Sequence, residues 1–142
     1  GVTVLEANIG VYEGLFILDS NGFARDRDGL TNTVNGFIEE AGGQIEVSRL
    51  WEERRLAYPI DGHRKGAYWI TYFRMSTDRL KELTRQCEIT DGILRQLFIR
   101  LPSALVDPIL EHARSGGVVR ATPIALEESV VEEIEEEEVG AL

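Results

Sequence analysis

The sequence predicts an α+β fold in which a four-stranded antiparallel sheet carries two helices on one face. Four apolar segments have the length and composition of β-strands, and two others have the spacing of amphipathic helices. Turn signals rich in glycine and aspartate separate these segments, whose order is β-α-β-β-α-β. At 142 residues the chain is long enough for one hydrophobic core, so we expect a single domain with appended segments.

The first strand and the first helix follow directly from the apolar pattern. Residues 11–18 (VYEGLFIL) are almost entirely apolar, which is typical of a central strand, and residues 19–22 (DSNG) predict a turn after it. A helix should begin near Asp26. Its apolar face would contain Leu30, Val34, Phe37, Ile38 and Ala41. The glycine pair at 42–43 should end this helix, because a position just after a helix usually needs a positive φ angle.

The second strand should lie at an edge of the sheet and change register along its length. Its apolar positions are odd-numbered at the start but even-numbered from Leu56 onwards, so we expect a β-bulge or bend within residues 49–54. Its many charged side chains and Pro59 are typical of an edge strand, which must avoid pairing with other chains.

A hairpin and a second helix complete the pattern. An Asp-Gly turn at 61–62 joins the second strand to a third strand, residues 66–75, which is rich in aromatic residues. A helix capped by Ser76 or Thr77 follows, and residues 93–101 form the last strand. This order is that of the ferredoxin-like fold, in which the first and third strands are central.

The remaining segments flank a domain that we place at residues 11–101. Residues 1–10 show no clear period, and residues 102–125 contain a short segment that predicts a helix packed on the domain. Residues 126–142 contain eight Glu and no Lys or Arg, a composition that predicts disorder. The formal net charge of the whole chain is −10. Outside this tail, however, the chain contains 17 acidic and 15 basic residues, so residues 1–125 have a net charge of only −2. The domain is therefore nearly neutral, and local basic patches on it could bind phosphates.

Alternation along the two central strands separates a face without charges from one that carries them. The uncharged face contains Gly14, Phe16, Leu18, Ala67, Trp69, Thr71, Phe73 and Met75. The other face contains Glu13, Leu15, Ile17, Tyr68, Ile70, Tyr72 and Arg74. Burying unpaired charges under helices is costly, so we expect the uncharged face to be the core. The other face would then be an open apolar surface, suited to a protein partner.

Two alternative functions fit parts of the sequence. Residues 65–72 (KGAYWITY) and 15–18 (LFIL) loosely resemble the signatures of RNA-recognition motifs, in which Phe16 and Trp69 would stack on single-stranded RNA. The face assignment argues against this function, because it makes both residues part of the core. A small ferredoxin-like enzyme such as a phosphatase is disfavoured because residues 19–22 are acidic where an anion would have to bind. Phosphate-loop and nucleophile-elbow motifs are also absent from the sequence.

The single cysteine and the two histidines give little support to catalysis or metal binding. Cys87 falls at an apolar helix position and should be a buried side chain of a reduced, intracellular protein. Neither His63 nor His112 lies at metal-ligand spacing from it. Apolar runs are too short for a membrane span, and residues 1–10 lack the pattern of a signal peptide, so we predict a soluble chain.

A resemblance to a known family covers the whole predicted domain. Trp51, Arg54 and residues 55–60 (RLAYPI), followed by a basic loop and residues 66–68 (GAY), resemble the signature of the bacterial-type sixth protein of the small ribosomal subunit. The similarity spans roughly residues 11–101, with the same order of strands, helices and turns. The chain differs from the family pattern at Glu52, where glycine is usual, and in its two terminal extensions.

The resemblance implies a structural protein rather than an enzyme. Members of this family form a heterodimer with protein eighteen of the same subunit, and the pair binds the central domain of the small-subunit ribosomal RNA. This implies a location on the ribosome, in the cytoplasm or in an organelle. It implies no catalytic residue, metal, cofactor, membrane or small-molecule substrate.

Two groups of site residues follow from the resemblance and the face assignment together. We expect the partner-binding residues to be Trp51, Arg54, Arg55, Leu56, Tyr58, Tyr68 and Tyr72. We expect the RNA-binding residues to be Arg64, Lys65, Arg95 and Arg100. The cations of the second group would contact phosphates or 2′-hydroxyls.

Overall fold

Four strands and four α-helices make up the part of the chain that the structure, a computed structural model, describes, namely residues 9–115. In order they are β1 (Ile9–Asp19), α1 (Ser20–Arg25), α2 (Arg27–Glu40), β2 (Gln44–Ile60), β3 (His63–Ser76), α3 (Leu80–Glu88), β4 (Ile93–Arg100) and α4 (Val106–Arg114). Short 3₁₀ turns precede α3 and α4. The strands pair antiparallel in the order β2-β3-β1-β4, which confirms the predicted ferredoxin-like α+β fold with β1 and β3 central. The predicted disorder of the acidic tail lies outside the described residues.

The boundaries of the first strand differ from the prediction at both ends. β1 begins at Ile9, so it includes the last two residues of the expected N-terminal extension, 1–10. The predicted turn at residues 19–22 is instead the start of α1. The Asp19 side chain accepts a hydrogen bond from the backbone N–H of Asn21 at 3.1 Å and caps this helix. A cluster of Asp, Ser and Asn is a helix N-cap signal as well as a turn signal, which explains the error.

The hairpin of β2 and β3 is long, tightly turned and bulged on its outer strand. Asp61 and Gly62 have φ angles of 48° and 80°, as a two-residue turn with two left-handed positions requires. The register shifts between Leu50 and Glu52, which leaves Trp51 as the extra residue and confirms the predicted bulge. Further shifts occur between residues 45 and 47 and between residues 55 and 60, so the end of β2 is irregular.

The face of the sheet predicted to be the core packs under the helices. Phe16, Leu18, Ala67, Trp69, Phe73 and Met75 belong to one buried cluster with Phe23, Val34, Ile38, Leu83 and Cys87. Phe16 is fully buried and Trp69 is only 7% exposed. Neither ring is therefore available as a platform for stacked bases, and the assignment of this face to the core is confirmed.

The opposite face is also buried, so the expectation of an open apolar surface was wrong. Helix α4 contributes Ile109, Leu110 and Ala113 to a second cluster on that face. The sheet residues of this cluster are Val11, Leu15, Ile17, Leu56, Ile60, Tyr68, Ile70 and Tyr72. The predicted C-terminal helix does form, but the apolar face that it covers is the one we expected to remain free. β1 and β3 are thus buried on both sides.

The second face was expected to be open because it carries two charged residues, Glu13 and Arg74, but both of them have partners. Glu13 is 1% exposed and accepts a hydrogen bond from the Tyr72 hydroxyl at 2.7 Å. Arg74 donates from Nε to Glu46 Oε1 at 3.1 Å, and Arg114 of α4 donates to Glu46 Oε2 at 2.7 Å. Paired charges can be accommodated at the margin or inside of a core. Glu46 therefore links the last helix to the edge strand.

Candidate partner and RNA interface

The exposed part of β2 presents an aromatic ring beside charged side chains. Tyr58 is 50% exposed, although it lies between the buried residues Leu56 and Ile60. The exposure of Tyr58 follows from the irregular end of β2, which has no regular pairing with β3 between residues 55 and 60. Arg55 is exposed as well, whereas Trp51 is half-buried and packs against the second cluster. Tyr58 and Arg55 are therefore the predicted partner residues most accessible to another molecule.

Arg54 is held in place by two neighbours. Its guanidinium carbon lies 5.9 Å from the centroid of the Tyr68 ring, and its Nη1 atom lies 3.7 Å from Glu52 Oε1. Glu52 thus supplies a carboxylate at the position where glycine was expected. A cation above an aromatic face and beside a carboxylate loses rotational freedom before any partner arrives, which favours binding.

Three of the predicted partner-binding residues are inside the protein. Leu56, Tyr68 and Tyr72 are 6%, 1% and 0% exposed, respectively. The prediction for Tyr68 and Tyr72 relied on an open outer face, which α4 covers, whereas Leu56 was included because it lies in the family motif. These residues cannot contact a partner in this fold, and Tyr68 instead supports Arg54 from below.

Gly66 allows the irregular end of β2 to fold against the sheet. A Cβ atom at this position would lie 2.5 Å from Ile17 Cγ2 and 3.2 Å from Leu56 Cδ2. The first distance is too short for two carbon atoms, so a side chain here would displace Ile17, and Leu56 would also have to move by a few tenths of an ångström. Gly66, the first residue of the G-A-Y part of the family signature, therefore has a packing role beside the buried Leu56.

The end of the hairpin carries a compact group of cations, which we call the basic tip and define as Arg55, Arg64 and Lys65. Arg55 and Lys65 lie directly opposite one another on β2 and β3, and Arg64 is next to Lys65. All three are exposed. Within residues 9–115 none of them forms an ion pair with a carboxylate. Like charges directly opposite on a sheet repel each other, so an anion at the basic tip would relieve that repulsion.

The two predicted RNA-binding residues on β4 lie apart from the basic tip. Arg95 is half-buried opposite Ile17, and Arg100 is exposed opposite Tyr12 at the other end of β1. On β1, Tyr12 lies opposite Arg100, and Asp19 lies opposite Gly66, which is next to Lys65 of the basic tip. Tyr12 and Asp19 are seven positions apart, or about 23 Å along the strand. The structure therefore does not unite the four predicted RNA-binding residues in one patch.

Arg100 has a defined position at its own end of the sheet. Its Nη1 atom is 3.4 Å from Thr77 Oγ1, and its side chain lies across Gly10. A Cβ atom on Gly10 would come within 2.9 Å of Arg100 Nε, so glycine provides the room for this guanidinium. Arg100 could contact a phosphate, but it would be a different phosphate from one bound at the basic tip.

The described residues offer little for catalysis. Cys87 is fully buried, and burial, with a smaller effect of the nearby Glu88 carboxylate, raises the pKa of its thiol to about 12. Such a thiol stays protonated at neutral pH and is a poor nucleophile or metal ligand. In residues 9–115 no three His, Cys, Asp or Glu side chains come together as a metal site would require.

A cleft near the start of the helices is acidic. It has a volume of about 500 Å³ and is lined by Asp19, Asp26 and Asp91 together with Arg25. Three carboxylates around one guanidinium disfavour a phosphate ester, in agreement with the expectation that residues 19–22 would not bind an anion. None of the helices in the described part of the chain has the length and apolar character needed to span a membrane.

Comparison with known proteins assigns the family. Residues 11–100 match the family model described as Ribosomal protein S6. The chain belongs to the ribosomal protein S6 family. The small ribosomal subunit protein bS6 of Rhodopirellula baltica is 46% identical over 108 residues, which cover 76% of this chain and 77% of that protein. The bS6 protein of Caldanaerobacter subterraneus subsp. tengcongensis is 39% identical over 89 residues, covering 63% of this chain and 94% of that protein.

A solved S6 structure has the same fold. The crystal structure of 30S ribosomal protein S6 from Thermotoga maritima superimposes with a TM-score of 0.61 at 27% identity, and the match covers 77% of this chain and 99% of that one. The resemblance found in residues 51–68 is thus confirmed as membership of the S6 family. The family model ends at residue 100, so α4 lies beyond the part that it describes.

Sequence reasoning missed Glu46 as a structural residue. Glu46 occupies the first bulge of β2 and receives both Arg74 and Arg114. These residues are far apart in sequence, and only the docking of α4 brings them together. The sequence signal that could have indicated it is the presence of a basic residue on each of two other elements, Arg74 on β3 and Arg114 at the end of α4.

Proposed function

We propose that this S6 family member is a non-catalytic structural component of the small ribosomal subunit that binds small-subunit ribosomal RNA as a heterodimer with protein eighteen. The observation that best supports this proposal is the arrangement on one hairpin of an accessible aromatic and arginine edge next to the basic tip. A protein bound along β2 would therefore lie next to the basic tip, whose three cations can bind the phosphates of an RNA backbone.

The partner contact should centre on Tyr58 and Arg54. An exposed tyrosine and an arginine fixed by its neighbours are the residue types that most often dominate protein interfaces. The surrounding strand contributes charges of both signs, from Glu52 and Glu53 and from Arg55, which would determine the orientation of the partner. In this proposal Trp51 supports the strand from its half-buried position, and Leu56, Tyr68 and Tyr72 act only through the packing of the hairpin.

The RNA contact should be small. The basic tip provides three cations, and Arg100 provides a separate one about 23 Å away along the sheet. Three phosphate contacts predict a shallow dependence on salt, with a slope of about −2 to −3 in log K against log salt concentration. The nearly neutral domain adds no broad attraction. Hence protein eighteen should supply much of the affinity, and the central domain of the RNA should be bound cooperatively.

Cooperative assembly is directly measurable. We expect the affinity of this chain for a fragment of the RNA central domain to rise by at least about tenfold when protein eighteen is present, because the partner adds contacts and fixes the hairpin. Titration calorimetry or filter binding with and without the partner would determine this ratio. Tight and steeply salt-dependent binding by this chain alone would contradict the proposal, since three cations cannot account for it.

Substitution of the exposed aromatic residue tests the partner edge. Tyr58→Ala or Arg54→Ala should weaken the heterodimer with protein eighteen by about 1–3 kcal/mol, as expected for anchor residues. Tyr58→Ala is the cleaner variant, because Arg54 also contacts Tyr68 and Glu52. Affinity would be measured by calorimetry on correctly folded variants.

Ile89→Ala is a matched control for the loss of an exposed apolar group. Ile89 is 69% exposed and lies after α3, away from β2. The control should leave the heterodimer affinity unchanged. If Tyr58→Ala and Arg54→Ala behaved like Ile89→Ala, the motif at residues 54–58 would have only a structural role.

A further inference from the structure

Opposite charges are concentrated in two separate parts of this chain. The segment 127–138 carries eight Glu without a single Lys or Arg, while the basic tip carries three cations that have no carboxylate partner among the residues described. We infer that the segment 127–138 binds the basic tip of its own chain when no RNA is present. The role of the tip in RNA binding belongs to the function proposed above, whereas the contact with segment 127–138 is an additional property.

The geometry of the basic tip favours an anion with several charges. Arg55 and Lys65 face each other across β2 and β3, at the separation of a directly opposed pair of about 5 Å between Cβ atoms. Arg64 adds a third charge at the adjacent position. Glu53 lies on the same side of β2, two pairs further along, and forms no ion pair with the tip within residues 9–115. A row of carboxylates can neutralise all three cations at once, as successive phosphates of RNA would.

The chain is long enough for this contact. The described part ends near Arg114, whose guanidinium is bound to Glu46 on β2. Glu46 and Arg55 are nine positions apart on β2, about 30 Å along the strand. The twelve steps of the chain from Ser115 to Glu127 span up to about 40 Å when extended, and the later glutamates have more length available. A tethered segment of this kind is present at an effective concentration on the order of millimolar, which makes a weak electrostatic contact significant.

The contact gives the acidic segment a definite effect. By occupying the tip, the carboxylates would compete with phosphates of RNAs that bind without protein eighteen. The RNA central domain, bound together with protein eighteen, would displace the segment, because protein eighteen provides additional contacts to the RNA. The segment would therefore increase selectivity rather than affinity.

This contact can be measured by zero-length crosslinking, because one lysine lies in the basic tip and the other lies outside it. The chain has two lysines, Lys65 in the basic tip and Lys81 on α3. In the full chain without RNA, a carbodiimide should couple Lys65 to glutamates of segment 127–138 with a yield at least about fivefold that of Lys81. Lys65 belongs to a group of three cations, whereas Lys81 has Glu82 next to it and one of its two neighbouring arginines, Arg79, is paired with that carboxylate. Raising the salt from about 0.02 M to about 1 M shortens the screening length to about 3 Å and should abolish the difference. Peptide mass spectrometry identifies the coupled residues.

Paired variants distinguish a bound segment from random collision. The double substitution Arg55→Gln and Arg64→Gln keeps Lys65 and should lower its coupling about threefold or more, since two of the three tip charges are lost. Arg85→Gln removes one charge beside Lys81 on α3 and should leave the coupling of Lys65 unchanged. A mixture of isotopically light and heavy chains shows whether the coupled residues belong to the same molecule.

Three results would overturn the inference. These are equal coupling of both lysines, coupling of Lys65 that is insensitive to the tip substitutions, or coupling that occurs mainly between light and heavy chains. Addition of an RNA oligonucleotide is a separate measurement. If RNA failed to reduce the coupling at Lys65, the role of the tip in RNA binding would be contradicted, and the contact with segment 127–138 would stand.

Discussion

Trp69→Ala should lower the free energy of unfolding by about 3–5 kcal/mol, because it removes the largest side chain of the helix-side core. Trp69 is 7% exposed and lies 6.2 Å from the Phe23 ring, centroid to centroid. Its indole N–H donates to Ser48 Oγ at 2.8 Å, and the Ser48 hydroxyl in turn donates to Asn35 Oδ1 at 2.7 Å. The truncation therefore leaves a cavity and also breaks a chain of hydrogen bonds. Urea unfolding followed by circular dichroism would measure the loss.

A second variant separates the cavity from the hydrogen bond. Ser48→Ala removes the acceptor of the indole N–H but leaves the ring in place, so it should cost only about 1–2 kcal/mol. The same measurements decide whether Trp69 acts in the core or on RNA. A Trp69→Ala protein with unchanged stability that failed to bind RNA would support the RNA-recognition-motif alternative and contradict the structure of this face.

Leu110→Ala should lower the free energy of unfolding by about 2–5 kcal/mol, the range for truncation of a fully buried leucine. Leu110 is 2% exposed and belongs to the cluster between α4 and the sheet. The loss would leave a cavity in the cluster between α4 and the sheet and weaken the docking of the whole helix. Chemical denaturation of the full chain would measure it.

The neighbouring residue on α4 supplies the control. Glu111 is exposed, so Glu111→Ala should change the stability by less than about 0.5 kcal/mol. If Leu110→Ala were equally neutral, α4 would not be docked on the sheet in solution. The outer face, with Tyr68 and Tyr72, would then be open as the alternation of charges first indicated.

Local sequence signals predicted most of the fold. The Asp-Gly turn at 61–62, the bulge in residues 49–54 and the helix that begins after Asp26 all depend on the backbone preferences of nearby residues. The assignment of Phe16 and Trp69 to the core also succeeded, because it depended on alternation within two strands. The turn predicted at residues 19–22 failed because aspartate and serine favour turns and helix caps alike.

The candidate site was harder to predict because its accessibility depends on contacts between distant residues. Whether Tyr68 and Tyr72 are exposed is determined by α4, about forty residues later in the chain, and no local pattern indicates where a helix will pack. The charge on Glu13 was interpreted as a sign of exposure, but the Tyr72 hydroxyl satisfies it inside the core. Arg64 and Lys65 were expected in a basic loop, and both are exposed, since a hairpin turn is exposed in almost any packing arrangement. Arg55 was expected only at the partner edge, and the pairing of β2 with β3 places it opposite Lys65.

Cys87 is the single cysteine of the chain, so its thiol can report on transient opening of the helix-side core. With full burial and a pKa of about 12, the thiol reacts with an alkylating reagent at neutral pH only while α3 is transiently detached from the sheet. The rate of modification therefore measures how often that detachment occurs, without the need to introduce a label. Binding of a partner or of RNA on the hairpin could thus be followed at a site that neither of them touches.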